Sequence, residues 1–107
     1  MDFNEYQEAA RETAIYPAEQ GLIYTVLGLT GEAGEVAEKV KKMIRDNIEL
    51  DDKYKGKIAR ELGDVLWYLS NVAHEIGITL DTVALANLGK LKSRKDRKQL
   101  KGDGDER

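Results

Sequence analysis

The chain has 107 residues, 41% of them apolar, which is enough for one domain with one core and too few for two. It contains no cysteine, so no disulfide holds the fold and no thiolate acts as ligand or nucleophile. With 17 basic and 20 acidic residues the net charge is −3, which argues against a general nucleic-acid binder. The apolar runs are too short for a membrane span, and the acidic N-terminus lacks the layout of a signal peptide. These features predict a soluble, cytoplasmic protein.

Apolar residues recur at helical spacing almost throughout, and no stretch alternates as a strand does. The predicted helices cover residues 3–15, 20–45, 57–76 and 80–98. Pro17 marks the end of the first helix, and the polar segment 46–56 is predicted to be a loop. Gly77 stops the third helix, and Thr79 is the predicted N-cap of the fourth.

Four helices joined by short loops predict an all-α fold, a compact four-helix bundle-like domain over residues 1–98. The tail, residues 99–107, ends in GDGDER and is predicted to be coil unless something binds it. The predicted core stripes are Leu22, Val26, Leu29, Ala33, Val36, Val40 and Ile44 on the second helix, Ile58, Leu62, Val65, Leu69, Val72 and Ile76 on the third, and Leu80, Val83, Ala84, Leu88 and Leu91 on the fourth. Such a core is thin, and the second helix carries Leu27 and Ala37 off its main stripe. A homo-oligomer is therefore expected.

Two near-copies of one pentapeptide carry the strongest chemical signal: E-A-G-E-V at 32–36 and E-L-G-D-V at 61–65. Residues three apart lie on one face of a helix, so each copy presents two carboxylates to the same point. Both pairs flank the apolar stripes, and packing of the two helices is expected to bring all four acids together. These four predicted catalytic and metal-binding residues are Glu32, Glu35, Glu61 and Asp64.

Four close carboxylates repel one another unless cations neutralise them. Oxygen ligands favour hard ions, so Mg²⁺ is expected, with Mn²⁺ as a substitute and two or more ions per site. The alternative is a solvated helix face, where glutamate pairs at this spacing are common. A ferritin-like di-iron site needs Glu-x-x-His pairs, and the only histidine, His74, does not stand at that spacing. His74 and Trp67 are expected at the surface or in a subunit contact, away from the carboxylates.

Two charged residues of the second helix extend the predicted site. Glu38 continues the acidic spacing and is either a further ligand, the base that activates water, or a partner of Lys41 or Lys42. Lys39 lies near the Glu32–Glu35 face, where it either neutralises the carboxylates or contacts a phosphate.

Polar residues of the third and fourth helices are candidates for substrate binding. Tyr68 and Asn71 continue the line of Glu61 and Asp64 and are candidates for contact with a sugar or base, although a half-buried structural tyrosine is the alternative. Asn87, Lys90 and Arg94 share one face of the fourth helix, where the two cations could hold phosphates. A solvated basic face at the helix end explains the run KLKSRKDRKQLK equally well.

These motifs resemble those of the all-α nucleoside triphosphate pyrophosphohydrolases, and specifically of their MazG-like branch. The hallmark of that superfamily is E-x-x-E followed by E-x-x-D, which residues 32–35 and 61–64 match. The segment 87–94 is similar to the downstream N-x-x-K-L-x-x-R, and GDGDER resembles the ending of small single-domain members, including phage proteins.

The resemblance implies Mg²⁺-dependent hydrolysis of a (d)NTP to the (d)NMP and pyrophosphate, with the four acids as metal ligands. It also implies a homodimer or homotetramer in which a neighbouring subunit helps to build the pocket, without a nucleic-acid or membrane partner. The implied role is nucleotide house-cleaning or control of the dNTP pool, in the host cytoplasm for a phage protein. The alternatives are a narrow dUTP/dCTP or phosphoribosyl-ATP pyrophosphatase of the same superfamily, or a non-catalytic helical interaction module.

Overall fold

The structure is a computed structural model that describes residues 1–107. It contains four α-helices and no β-strand: α1 (Phe3–Arg11), α2 (Gly21–Asp46), α3 (Asp52–Glu75) and α4 (Leu80–Asp96). A single 3₁₀ turn, Ala18–Gln20, leads into α2. No helix combines the length and apolar character that crossing a membrane requires. The predicted all-α class with four helices is confirmed.

The first helix is shorter than predicted. It ends at Arg11 rather than at residue 15, because the Thr13 hydroxyl donates a hydrogen bond to the Ala10 carbonyl (3.1 Å) and the backbone tightens there. Its start is well capped: the Asp2 carboxylate accepts from the Glu5 backbone N–H (2.8 Å), and the Glu5 carboxylate accepts from the Asp2 N–H in return.

The third helix begins five residues earlier than predicted, at Asp52. Asp51 is its N-cap, and the carboxylate accepts a hydrogen bond from the Tyr54 N–H at 2.9 Å. The predicted loop is reduced to the residues between Asn47, which ends α2 with a positive φ of 51°, and this cap. Thr79 is confirmed as the N-cap of α4.

Helices α2 and α3 form a hairpin whose two arms pack side by side, and glycine permits the closest approaches. The Tyr68 ring lies directly over Gly28, where an added Cβ would collide with it. The Glu75 carboxylate lies against Gly21 in the same way. Helix α1 crosses α3 and the start of α4, and the Gln7 amide joins them by donating to the Ile78 carbonyl (3.1 Å) and accepting from the Leu80 N–H (2.9 Å).

The helices do not close into the predicted compact bundle. The radius of gyration is 16.7 Å, whereas a compact domain of this length has about 13 Å. The accessible surface is 7973 Å², against about 6,000 Å² for a compact monomer of this mass. Helix α4 contacts α1 and α3 but not α2, so one side of the hairpin has no covering layer.

The predicted core stripes are largely exposed as a result. On α2, Val26 is 42% and Ile44 82% exposed, and on α4, Leu88 is 62% exposed. Helix α2 approaches α3 instead through a neighbouring face that carries small and polar residues: Gly21, Thr25, Gly28, Glu32 and Lys39. Because these residues allow a closer approach than the bulky apolar stripe, the hairpin buries the polar face and leaves the stripe open.

Candidate metal centre

Three of the four predicted acids converge between the arms of the hairpin. Glu32 of α2 and Glu61 and Asp64 of α3 each place a carboxylate oxygen within 4.8 Å of the others. Glu35 is exposed and lies outside this group. The same i, i+3 spacing keeps Glu61 and Asp64 together on α3, so the position of Glu35 depends on which face of α2 meets α3. We call Glu32, Glu61 and Asp64 the acid cluster.

One cation faces the acid cluster. The Lys39 ammonium lies 3.8 Å from a carboxylate oxygen of Glu61, whose side chain is only 17% exposed. One ammonium against three carboxylates leaves two negative charges without a partner, which equals the charge of one divalent ion. Lys39 thus offsets part of the negative charge of the cluster, and its partner is on α3 rather than on α2.

The acid cluster disturbs the protonation of the Glu32 carboxyl group. Its pKa is raised, first by burial and then by the negative charges of Asp64, Glu61 and Glu35. Burial and like charges both disfavour the ionised form, so a bound cation would favour it.

The cluster opens onto a cavity of ≈ 320 Å³. Its lining residues are Thr13, Glu32, Asp64, Trp67 and Tyr68. The position predicted for Trp67, away from the carboxylates, is therefore wrong. The indole N–H donates to the Thr13 hydroxyl at 2.8 Å, and the ring meets that of Tyr68 edge to face at 4.9 Å between centroids. His74 is exposed, as expected.

Further tyrosines surround this cavity. Tyr24 lies 6.4 Å from Tyr68 and stacks on Tyr16 at 5.1 Å between centroids. The pKa of Tyr68 is raised by burial, by Tyr24 and by the carboxylates of the cluster. The pKa of Tyr6, on α1, is raised by burial and by the charge of Asp64.

Sequence reasoning missed three of these neighbours: Tyr6, Thr13 and Trp67. A signal existed for Trp67, which follows Asp64 by three residues and therefore shares its helix face. No local signal existed for Tyr6 and Thr13, since the fold of α1 across α3 brings them there.

Asn71 does not line the cavity, contrary to its predicted contact with a sugar or base. It is fully buried, its side-chain oxygen accepts from the Arg11 guanidinium (3.0 Å), and its amide donates to the Trp67 carbonyl (3.0 Å). The oxygen of the amide therefore attaches α1 to α3, and its nitrogen bonds within α3 itself. Glu38 pairs with Lys41 at 2.9 Å, which matches one of the alternatives left open for it.

The predicted phosphate-binding residues of α4 lie apart from the acid cluster within one chain. Asn87 and Lys90 line a separate cavity with Ile78 and Thr82, and no part of α4 contacts α2. Lys90 and Arg94 both bind Asp105 of the C-terminal tail.

Comparisons with known proteins agree with these features. The family model of the MazG nucleotide pyrophosphohydrolase domain matches residues 20–98, a range that contains the acid cluster and the cations of α4. The Gene 37 protein of Mycobacterium phage L5 is 45% identical over the whole length of both chains. No solved structure matches significantly. The family resemblance stated from the motifs is confirmed, and the chain belongs to the MazG nucleotide pyrophosphohydrolase domain family.

Proposed function

We propose that the protein is a Mg²⁺-dependent pyrophosphohydrolase that converts a (d)NTP to the (d)NMP and pyrophosphate. The observation that carries the proposal is the acid cluster, with carboxylate oxygens within 4.8 Å, at the mouth of an aromatic-lined cavity. Membership of the MazG family supports the reaction class. Removal of unwanted nucleotides, or control of the dNTP pool, is the corresponding role.

The donor set fits a hard divalent cation. All donors are carboxylate oxygens, and the two unpaired negative charges match one Mg²⁺ or Mn²⁺. Glu32, Glu61 and Asp64 would hold the ion, whereas Glu35, the fourth predicted ligand, lies outside the acid cluster. An ion held there supplies charge neutralisation for the phosphate oxygens and for the leaving pyrophosphate.

The aromatic wall fits the nucleoside half of the substrate. Trp67 and Tyr68 stand beside Glu32 and Asp64, so a base stacked on them would place its phosphates toward the carboxylates. In the reaction, water adds to phosphorus, the α–β anhydride bond breaks, and pyrophosphate leaves with its electron pair while the water loses a proton. Closing the aromatic cavity around the base would exclude bulk water from this site.

We further propose that the active form is a homodimer or homotetramer. The chain exposes about 2,000 Å² more than a compact monomer of its mass, and stable homodimers bury comparable areas. The exposed stripe of α2 offers an apolar surface, with Ile23 63% and Leu27 67% exposed. Because α4 does not contact α2 within one chain, we propose that α4 cations at the acid cluster come from a second copy.

Pyrophosphate release from a panel of NTPs and dNTPs with Mg²⁺ tests the activity and reveals the base preference. Asp64→Asn keeps the shape of the side chain but removes a ligand, and should lower kcat/KM by about 100-fold or more. Glu49→Gln, in the exposed loop before α3, is the matched control and should retain activity. Absence of turnover of every substrate, with unchanged metal binding in Asp64→Asn, would support the non-catalytic interaction module instead.

The pyrophosphate-release assay also tests whether Lys90 of α4 contacts a phosphate of the substrate. Lys90→Ala should raise KM or lower kcat if its ammonium holds a phosphate. An unchanged kcat/KM would assign Lys90 to a solvated basic face.

A further inference from the structure

The C-terminal tail folds back onto α4 instead of extending into solvent. The Arg107 guanidinium donates hydrogen bonds to the backbone carbonyls of Gln99 (3.2 Å) and Gly104 (2.6 Å), which closes residues 99–107 into a loop. Gly102 and Gly104 have φ of 127° and 83°, conformations that glycine adopts without strain. The tail forms no helix, and its own chain binds it.

The loop presents one carboxylate to the two cations of α4. An oxygen of Asp105 lies 3.1 Å from the Lys90 ammonium and 3.3 Å from the Arg94 guanidinium. Hydrogen bonds from Lys90 and Arg94 hold the pKa of Asp105 below its usual range. Lys90 and Arg94 therefore already form an anion site, and the anion in it belongs to the chain itself.

The two sides of this contact differ in exposure. The Arg94 side chain is only 5% exposed, and its hydrogen-bond acceptors are the backbone carbonyl (2.7 Å) and the carboxylate of Asp105. The Asp105 side chain is 84% exposed. A guanidinium so enclosed needs an anionic or carbonyl acceptor. The exposed carboxylate loses little interaction energy when water replaces Lys90 and Arg94 as its partners. The contact is therefore built for exchange of the anion rather than for its permanent burial.

We propose that the tail is an autoinhibitory strap, in which Asp105 occupies the Lys90–Arg94 anion site and must leave before the phosphates of a nucleotide can bind there. The proposal rests on the proposed function, in which these cations hold the triphosphate. A triphosphate carries several charges and offers paired oxygens to a guanidinium, so it displaces a single exposed carboxylate at sufficient concentration. The strap thus raises the substrate concentration at which the enzyme works and leaves the chemical step unchanged.

Binding of inorganic tripolyphosphate tests the strap without catalysis. Isothermal titration in EDTA keeps metal away from the acid cluster, so the cations of α4 dominate binding. Asp105→Asn should lower the Kd by roughly two- to tenfold, the range expected from the loss of two ion pairs that share one exposed carboxylate. Asp103→Asn is the matched control: it removes the same charge from the same loop, but its carboxylate contacts only the Gly104 N–H.

The Kd values of these two variants test whether Asp105 competes for the anion site. A Kd that is equal in Asp105→Asn and Asp103→Asn, or higher in Asp105→Asn, would overturn the proposal, as would the absence of binding to Asp105→Asn at millimolar tripolyphosphate. Removal of residues 102–107 is a second variant and should reproduce the gain in affinity. Arg94→Gln combined with Asp105→Asn should lose it again, because the site itself is then incomplete.

Steady-state kinetics give an independent reading. Asp105→Asn should lower the KM for the preferred (d)NTP by the same factor at constant kcat, whereas Asp103→Asn should not. If the wild-type protein turned over no nucleotide, the proposed function would fail, while the tripolyphosphate titration would still report whether Asp105 competes for the anion site.

Discussion

Glu32 combines three structural features that bear on cation binding. It is partly buried between two helices, it faces two carboxylates of α3, and it lines the cavity. Lys39 neutralises only part of this charge through Glu61. The metal-free protein therefore carries a repulsion that a bound cation would relieve, and under the proposed function metal binding would be linked to folding stability through this residue.

The pH dependence of stability should report that repulsion. The folded-state pKa of Glu32 is raised above its ordinary value of 4.5, so the folded protein binds the proton more readily than the unfolded chain does. Its contribution destabilises the fold at neutral pH, weakens as the pH falls through the raised pKa, and vanishes below the ordinary value. In EDTA, the free energy of unfolding should accordingly gain a rising component as the pH falls from neutral toward 4.5.

Glu32→Gln should remove this component and raise the Tm at pH 7.5 in EDTA. Mg²⁺ at 100 times its Kd should stabilise the wild type by about 2.7 kcal/mol and the variant by much less. Urea unfolding across pH, with and without Mg²⁺, measures both effects, and Glu49→Gln serves as the control. An unchanged pH slope in Glu32→Gln would show that the other carboxylates carry the repulsion.

At the scale of the elements, the crossing of α2 and α3 depends on Gly28. The Tyr68 ring occupies the space that a Cβ at this position would need, and Tyr68 also lines the cavity beside Glu32. The same contact therefore sets the distance between the helices and the position of the aromatic wall.

Gly28→Ala should destabilise the protein by about 1–3 kcal/mol, because the ring or the helix must shift. Gly56→Ala is the matched control, since Gly56 is in α3 with open space around it, and alanine there should stabilise by up to about 1 kcal/mol. Urea midpoints measure both, and tryptophan fluorescence reports displacement of Trp67 next to Tyr68. Equal stability of the two variants would contradict the close approach.

The helix boundaries show which N-caps can be predicted from the neighbouring sequence. Thr79 was identifiable as a cap because threonine precedes an apolar run. Asp51 is the N-cap of α3. The sequence around it is charged, with two aspartates and three lysines within seven residues. It lacks the apolar periodicity that would distinguish the first turn of a helix from a loop.

At the scale of the whole molecule, the single chain buries too few residues to form a substantial hydrophobic core. Only nine of its 107 residues are buried, and those with no exposure at all are Thr25, Ser70 and Asn71, which are polar. A second copy on the apolar stripe of α2 would supply the missing burial. Stability and assembly should therefore be inseparable, as in obligate dimers.

Light scattering coupled to size exclusion should give twice or four times the mass of the chain. Leu27→Glu places a charge on the exposed stripe and should shift the protein to monomer and lower its Tm. Ile15→Glu, at a residue that is 94% exposed in the segment between α1 and α2, is the control and should keep the assembly. A wild-type monomer at micromolar concentration would contradict the proposed homo-oligomer.

The sequence alone determined the features that depend on residues close together in the chain. Helical periodicity identified four helices, and the i, i+3 spacing of acids identified Glu32, Glu35, Glu61 and Asp64, three of which the structure brings together. Both follow from the fixed geometry of a helix, so no long-range information is needed.

Only the tertiary structure decided which helix faces meet. Helix α2 packs against α3 through the face that carries Glu32, and the adjacent face with Val26 stays exposed, because small residues allow the closer packing. The same choice left Glu35 outside the acid cluster, and the fold of α1 brought Thr13 to Trp67. The pairing of Asp105 with Lys90 and Arg94 likewise joins residues 11 or more positions apart. Such contacts depend on the relative placement of whole elements, which spacing along the chain does not encode.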